Sequence, residues 1–305
     1  MYLIISILTI LGSSTINAEF SFKKMYHYVI PEKQHEEIIY EEYNPKKALV
    51  CTIKNKRGNV LVKTHSNNLI LVKATKRLAQ TQDLSLLTFT HSITDQEFLL
   101  AANYDDTLID GSIDFEIVVP QKIAVNVHTF NGSIFAKDVY NPFKAITDTG
   151  SIDIVNAHNT VDAHIHAKGT ILIKNPGASI QAHTQSGNIS IYDAHASVFA
   201  NTHNGTISLF AKDVPSTSTI NLATVSGSIL LHLPPDVNAD IQAYTKNGTI
   251  VSDHFITLKP QTTQLNSKAW RRLQKQVEGT IGSGEAQIKL TSVRSDIKLL
   301  EMKLS

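Results

Sequence analysis

A glycine followed two residues later by isoleucine recurs along this chain at nearly even intervals. No other feature of the sequence constrains the fold as much. The glycines are Gly132, Gly150, Gly169, Gly187, Gly205, Gly227 and Gly248, spaced 18, 19, 18, 18, 22 and 21 residues apart. The isoleucines are Ile134, Ile152, Ile171, Ile189, Ile207, Ile229 and Ile250, and the residue between is always small and polar: Ser133, Ser151, Thr170, Asn188, Thr206, Ser228 and Thr249. Three places before the glycine stands Thr129, Thr147, Thr184, Thr202, Thr224 or Thr245; in the remaining unit it is His166, where the turn reads one residue longer. Self-similarity at such a period is the mark of a repeat architecture.

Each unit reads as strand, turn, strand. In the segment Ser179 to Ala194, Ile180, Ala182 and Thr184 alternate with polar residues, and after Ser186-Gly187 the alternation resumes at Ile189 and Ile191. A period of two puts one face inside and one outside. Asn-Gly or Ser-Gly between such runs ordinarily signals a two-residue antiparallel hairpin. Energetics argue otherwise. A buried isoleucine contributes roughly 1.5–3 kcal/mol, whereas ordering costs roughly 1–2 kcal/mol for every residue. Two or three aliphatics cannot hold a unit of this size, so only a stack of units persists. The expectation is an all-β chain, a single-stranded parallel β-helix (β-solenoid) of about 18–22 residues per coil, right-handed by preference. The glycine is assigned to a bend where positive φ carries no penalty.

The pattern extends outward. Gly58 is followed by Val60 and Val62, and the run VKTHSNNLILVK has Asn68 in place of glycine. Asp110-Gly111-Ser112-Ile113 repeats the motif, and in IKLTSVRSDIKL, Ser295 stands for glycine while Ile297 keeps the aliphatic. Ala74 to Asp110 alternates more weakly and reads as longer strands and loops. The expected organisation is a signal peptide at 1–18, an exposed leader at 19–47 and a solenoid domain at 48–305 with an irregular insertion at 261–284. In that insertion Trp270, Leu273 and Val277 follow helical spacing. The signal assignment rests on the uncharged run MYLIISILTILGSSTINA, too short an apolar stretch to span a bilayer. It predicts an exported chain with no membrane-spanning segment once cleaved.

Composition narrows the functions. Net charge is +1 with 18% charged residues, which argues against a nucleic-acid binder and against bulk disorder. The lone Cys51 excludes a disulfide scaffold and a cysteine-based metal cluster; its alternating surroundings predict a buried strand residue.

Taken together, the T-x-N/S-G-x-I-x-I repeats, the lead-in DFEIVVPQKIAVNVHTFNGSI from Asp114, the segment LHLPPD at 231–236 and the tail from Gly279 to Leu299 resemble the bacterial putative-adhesin family, a domain of unknown function. The resemblance spans roughly residues 48 to 300. It implies a β-solenoid, exported or envelope-associated, and brings no catalytic residues with it.

Catalytic constellations are sparse. Solenoid enzymes that cleave polysaccharides need clustered carboxylates on one face. The candidates are Asp105 and Asp106 in a loop, Asp148 and Asp153 on either side of one turn, and the scattered Asp162 and Asp193. None is read as recurring at the repeat period. His164, His166, His183 and His203 could face a metal from stacked coils, but their offsets from the glycine differ and solvated positions suit them better. His35-Glu36 opens like a zinc-protease helix, yet Ile39 stands where the second histidine belongs. Asn131, Asn204 and Asn247 match a glycosylation acceptor that their turn role explains. Lys268, Arg271, Arg272 and Lys275 read as a solvated basic face. The sequence therefore assigns no catalytic, cofactor or metal residues and no enzyme activity. It predicts an exported surface-binding or scaffold protein whose partner is an envelope protein or a glycan. Rival readings are end-to-end self-association through unpaired terminal strands and a glycan-active lyase or hydrolase.

Overall fold

The computed structural model describes residues 35–78, 83–105, 110–259 and 275–302. Among these residues there are strands, turns and one short 3-10 turn at Leu84–Leu86, with no α-helix. The strands form two sheets, of 12 and 13 strands. We call one the isoleucine sheet, because its strands begin at the repeat isoleucines, and the other the threonine sheet, because the repeat threonines lie near its strand ends. From Ala124 to Leu233 the chain changes sheet at every corner. Phe143–Thr149 lies in the threonine sheet, Ile152–Ala157 in the isoleucine sheet, and Val161–Lys168 in the threonine sheet again. Each strand pairs in parallel with its equivalents one unit away.

The isoleucine column is in register. Ile134, Ile152, Ile171, Ile189, Ile207 and Ile229 are successive ladder partners and all are buried. Ile250 joins through Ile297 and is half-buried at the column's end. Phe143, Val161, Ile180, Val198 and Ile220 form an inward row of the threonine sheet, and both sheets contribute to one apolar core. Cys51 sits fully buried in the strand Val50–Arg57, as its pattern predicts, and burial pushes its thiol pKa up.

The glycine has a second reason beside the one expected. Gly150, Gly187, Gly205 and Gly227 have the positive φ that the bend predicts, whereas Gly132 and Gly169 do not. What they share is closeness: a Cβ at Gly132, Gly150, Gly169, Gly187, Gly205 or Gly227 would overlap the carbonyl oxygen of the stacked glycine one coil away. Backbone touches backbone along this edge, so no side chain fits. The buried threonines complete the same corner. Thr147, Thr184, Thr202 and Thr224 donate from Oγ1 to the carbonyls of Gly132, Gly169, Gly187 and Gly205 at 2.9, 3.2, 3.0 and 3.1 Å. A hydroxyl inside the core is tolerated because it is bonded. In the unit containing His166, Ile165 takes the threonine register position, and the ladder slips by one residue before Lys168. The longer turn read from sequence is this bulge.

At both ends the order of strands departs from the order of sequence. The coil built from Val50–Arg57 and Val60–His65 lies between that of Ala124–Asn131 and Ile134–Val139 and that of Glu97–Tyr104 and Ser112–Pro120. The coil from Ala286–Ser292 and Ile297–Glu301 lies between that of Thr219–Ser226 and Ile229–Leu233 and that of Ala239–Thr245 and Ile250–Ser252. Antiparallel strands form three of the four sheet edges: His35–Tyr43, Leu87–Ile93 and the pair Gln276–Ile281 with Thr257–Leu258.

Several expectations need correction. His35–Tyr43, assigned to the exposed leader, is an edge strand antiparallel to Ile70–Leu78, held by Lys76 Nζ to Glu37 at 2.9 Å and by Arg77 to Glu36 and Asp114. Ile39 is thus a strand residue. Val277 lies in the strand Gln276–Ile281, not in a helix; residues 260–274, with Trp270 and Leu273, fall outside the described residues, as do residues 1–34 with the expected signal peptide. The turn at Asn68 does not cross between sheets, since Val60–His65 and Ile70–Leu78 belong to the same one. The motif at Gly111 is out of register: Phe115, not Ile113, stands opposite Val60 in the column.

Candidate functional site

The outer face of the threonine sheet carries two adjacent rows. Asn126, Lys144, Asp162, Gln181, Phe199 and Asn221 are successive ladder partners. Two residues further along the same strands run His128, Ile146, His164, His183, Asn201 and Ala223. Both rows alternate with buried residues, so their side chains point to solvent. Two shallow depressions lie on this face and meet at Gln181. One, of about 380 Å3, is lined by Asn126, Lys144, Asp162, Thr160, Ser179 and Gln181 among others. The other, of about 220 Å3, is lined by His164, Gln181, His183, Phe199, Asn201, Asn221 and Ala223 above Ala182 and Ala200.

Asp162 organises the first depression. Lys144 Nζ reaches it at 2.8 Å and the His164 ring holds its other oxygen. Partial burial alone would raise the Asp162 carboxyl; the hydrogen bonds and charges of Lys144 and His164 outweigh it and hold the pKa below its usual range. This carboxylate stays ionised and engaged, and is a poor proton donor. His183 lies against His164, with ring centroids 5.9 Å apart. Burial lowers its pKa, helped by the charges of His164 and His166, so it is neutral near pH 7.

The remaining candidates disperse. His166 binds Asp148 at 2.8 Å, away from the His164–His183 row, and His203 belongs to another row. No group of three or more metal-ligating side chains assembles among the described residues. Asp153 lies in the isoleucine sheet and Asp148 in the threonine sheet, so the pair flanking that turn does not converge. Burial raises the Asp153 carboxyl, partly offset by Lys174. Asp105 follows the strand Glu97–Tyr104; Asp106 and the basic Lys268, Arg271 and Arg272 lie outside the described residues, while Lys275 donates to the Gly248 carbonyl.

Two ladders went unread in the sequence. Asp138, Asn156, Asn175 and Asp193 occupy the second corner with φ of 54–57°, and Asn156 donates to Asp138 at 2.7 Å and Asn175 to Asn156 at 3.1 Å. Asp193 thus does recur at the repeat period, as a corner residue that tolerates the left-handed conformation. The signal was Asp or Asn six places after four successive glycines. On the outer face of the isoleucine sheet, Tyr192, Phe210 and His232 stack at 4.8 and 4.0 Å, with Lys174 over Tyr192. These stand five places after their glycines.

No family model and no curated protein matches the chain. Among solved structures it is similar to a putative cell adhesion protein from Clostridium sporogenes, at 10% identity and a TM-score of 0.27, over 88% of this chain and all of that one. It is also similar to a putative adhesin from Bacteroides fragilis, at 13% identity and a TM-score of 0.41, over 86% of this chain and 97% of that one. Likenesses this loose carry no argument about what the chain does.

Proposed function

We propose that this chain is an exported, non-enzymatic β-solenoid that uses the outer face of its threonine sheet to hold a partner at the cell envelope. Strand-by-strand alternation between two parallel sheets supports the solenoid reading. The observation that carries the function is the pair of outward rows in register, polar along most of their length, with two depressions that run into one another at Gln181. Such a surface binds by many modest contacts spread along the stack, and its rigidity limits the ordering cost on binding. A glycan-cleaving activity draws less support, because the carboxylates it needs stand in different sheets or are tied into ion pairs. End-to-end association also draws less, since the edge strand His35–Tyr43 carries Glu36, Glu37, Glu41 and Glu42, charge that discourages pairing with another chain.

The test is cosedimentation of the purified chain with envelope fractions. Retention should fall at least tenfold when Asn126→Arg and Gln181→Arg are combined, since both project from the face without packing inward. Retention indifferent to those charges, or absent from every fraction, would count against the reading.

A further inference from the structure

Phe130, Phe135 and Tyr244 are exposed side chains with no ring against them among the described residues, and the depression beside Tyr244 carries Glu278 and Lys289; the one such ring in a described depression without lysine, arginine or carboxylate side chains is Phe199. It is 42% exposed in the middle of the threonine sheet, between Gln181 and Asn221 in its row. No aromatic ring lies against it among the described residues, whereas Tyr192, Phe210 and His232 use their ring faces on one another and offer solvent mainly their edges. The depression beside Phe199 is lined by the amides of Gln181, Asn201 and Asn221, by alanines and by two imidazoles, of which His164 is engaged by Asp162; no lysine, arginine or carboxylate lines it. The neighbouring depression contains the Lys144–Asp162 ion pair, and the one near the N-terminal edge contains Glu41, Lys73 and Glu116.

We propose that the depression centred on Phe199 is a subsite for a neutral saccharide, which lays an apolar C–H face on the Phe199 ring and shares its hydroxyls with Gln181, Asn201, Asn221 and His183. This rests on the surface-binding reading and gives it a substrate class. The chemistry selects the ligand. An open aromatic face attracts the patch of C–H bonds that a pyranose presents, and beyond area it favours ligands that lie flat on it. A sugar hydroxyl both donates and accepts, and each primary amide likewise offers a carbonyl oxygen and two N–H groups. Low-lying burial keeps the His183 imidazole neutral near pH 7, so it too can do either. A uronate or phosphate would find no lysine or arginine here, and the His164 imidazole is already taken by Asp162, so its charge would be desolvated with little compensation. Ala223, where the neighbouring units carry Asn201 and His183, leaves the room that a ring needs beside Phe199.

The experiment titrates the full chain, followed by protein NMR, with chitohexaose, cellohexaose and mannohexaose, and with trigalacturonate as the acidic comparison. At least one neutral oligosaccharide should bind more tightly than trigalacturonate and perturb Asn201 and Asn221. Phe199→Ala should weaken it roughly tenfold, Phe199→Tyr should keep it, and Phe135→Ala on the other sheet should leave it unchanged; all variants should melt within a few degrees of the parent. Binding of none of the neutral sugars, preference for the acidic one, or equal affinity in Phe199→Ala would overturn the proposal. The same Phe199→Ala chain is then tested for envelope retention. Retention that survives Phe199→Ala but is lost with Asn126→Arg and Gln181→Arg defeats the saccharide subsite while leaving the surface-binding reading intact.

Discussion

Between Ala124 and Leu233 each strand lies on the strand that preceded it by one coil, in both sheets; before that span the chain builds on the outer side of the coil at 50–65 and then on its inner side, and after it the chain skips a place and returns to fill it. Both regions use the same inward alternation and the same parallel ladders. The middle adds three devices that repeat over several units: glycines in contact through their backbones, threonines bonded to those glycine carbonyls except where Ile165 takes their place, and Asn or Asp in the left-handed corner. The ends lack the full set. There, antiparallel strands and ion pairs such as Lys76–Glu37 take over. Periodic local chemistry sets the rise from coil to coil, while long-range pairing decides which coil occupies which place.

The contrast can be broken most sharply at the column itself. Ile207→Asp should place an unpaired carboxylate in the core and cost on the order of 4 kcal/mol or more, whereas Ser208→Asp on the outward side should cost less than about 0.5 kcal/mol. Urea denaturation of the two variants measures the difference, and equal midpoints would dismiss the inside–outside assignment. Next comes the glycine edge. Gly169→Ala, where φ is not left-handed, drives a methyl into the Gly150 carbonyl and should cost about 3 kcal/mol. Gly284→Ala, near the C-terminal end, has φ +80° but no heavy atom nearer than 3.5 Å, so only backbone strain of roughly 1 kcal/mol applies. Comparable losses at both would mean that turn conformation, not coil contact, fixes the middle glycines. The smallest effect belongs to the hydroxyl ladder. Thr202→Val leaves the shape but removes the donor to the Gly187 carbonyl, for about 1–2 kcal/mol. No loss at all would assign that carbonyl a sufficient partner elsewhere.

Much of the middle was legible because its signal is local. Ile134 through Ile229 announce their column by spacing alone, and Ser295 with Ile297 correctly marks a coil lacking the glycine. The threonines were seen as a motif but not as donors, since their role depends on a carbonyl one coil away. The corner residues Asp138, Asn156, Asn175 and Asp193 are hidden because two carboxylates and two amides look like different chemistries until the shared left-handed backbone shows their common role. The strand His35–Tyr43 reads as leader because Glu36, Glu37, Glu41 and Glu42 crowd it. In a two-sheet stack, that charge suits an edge strand that must not recruit another chain. As for the outer face, each side chain could be assigned outward, but the rows depend on a register that periodicity does not reveal at the bulge before Lys168.

The placement of the C-terminal coil governs how the molecule is completed. Residues 239–252 make no ladder with the coil at 219–233; their parallel partners are Ala286–Ser292 and Ile297–Glu301. When residues 239–252 have left the ribosome, the strands they finally pair with in parallel have not yet been made. Pairing in this part therefore does not follow chain order, because the later coil lies inside the earlier one. Truncation near the C-terminus accordingly removes an inner storey, not the roof.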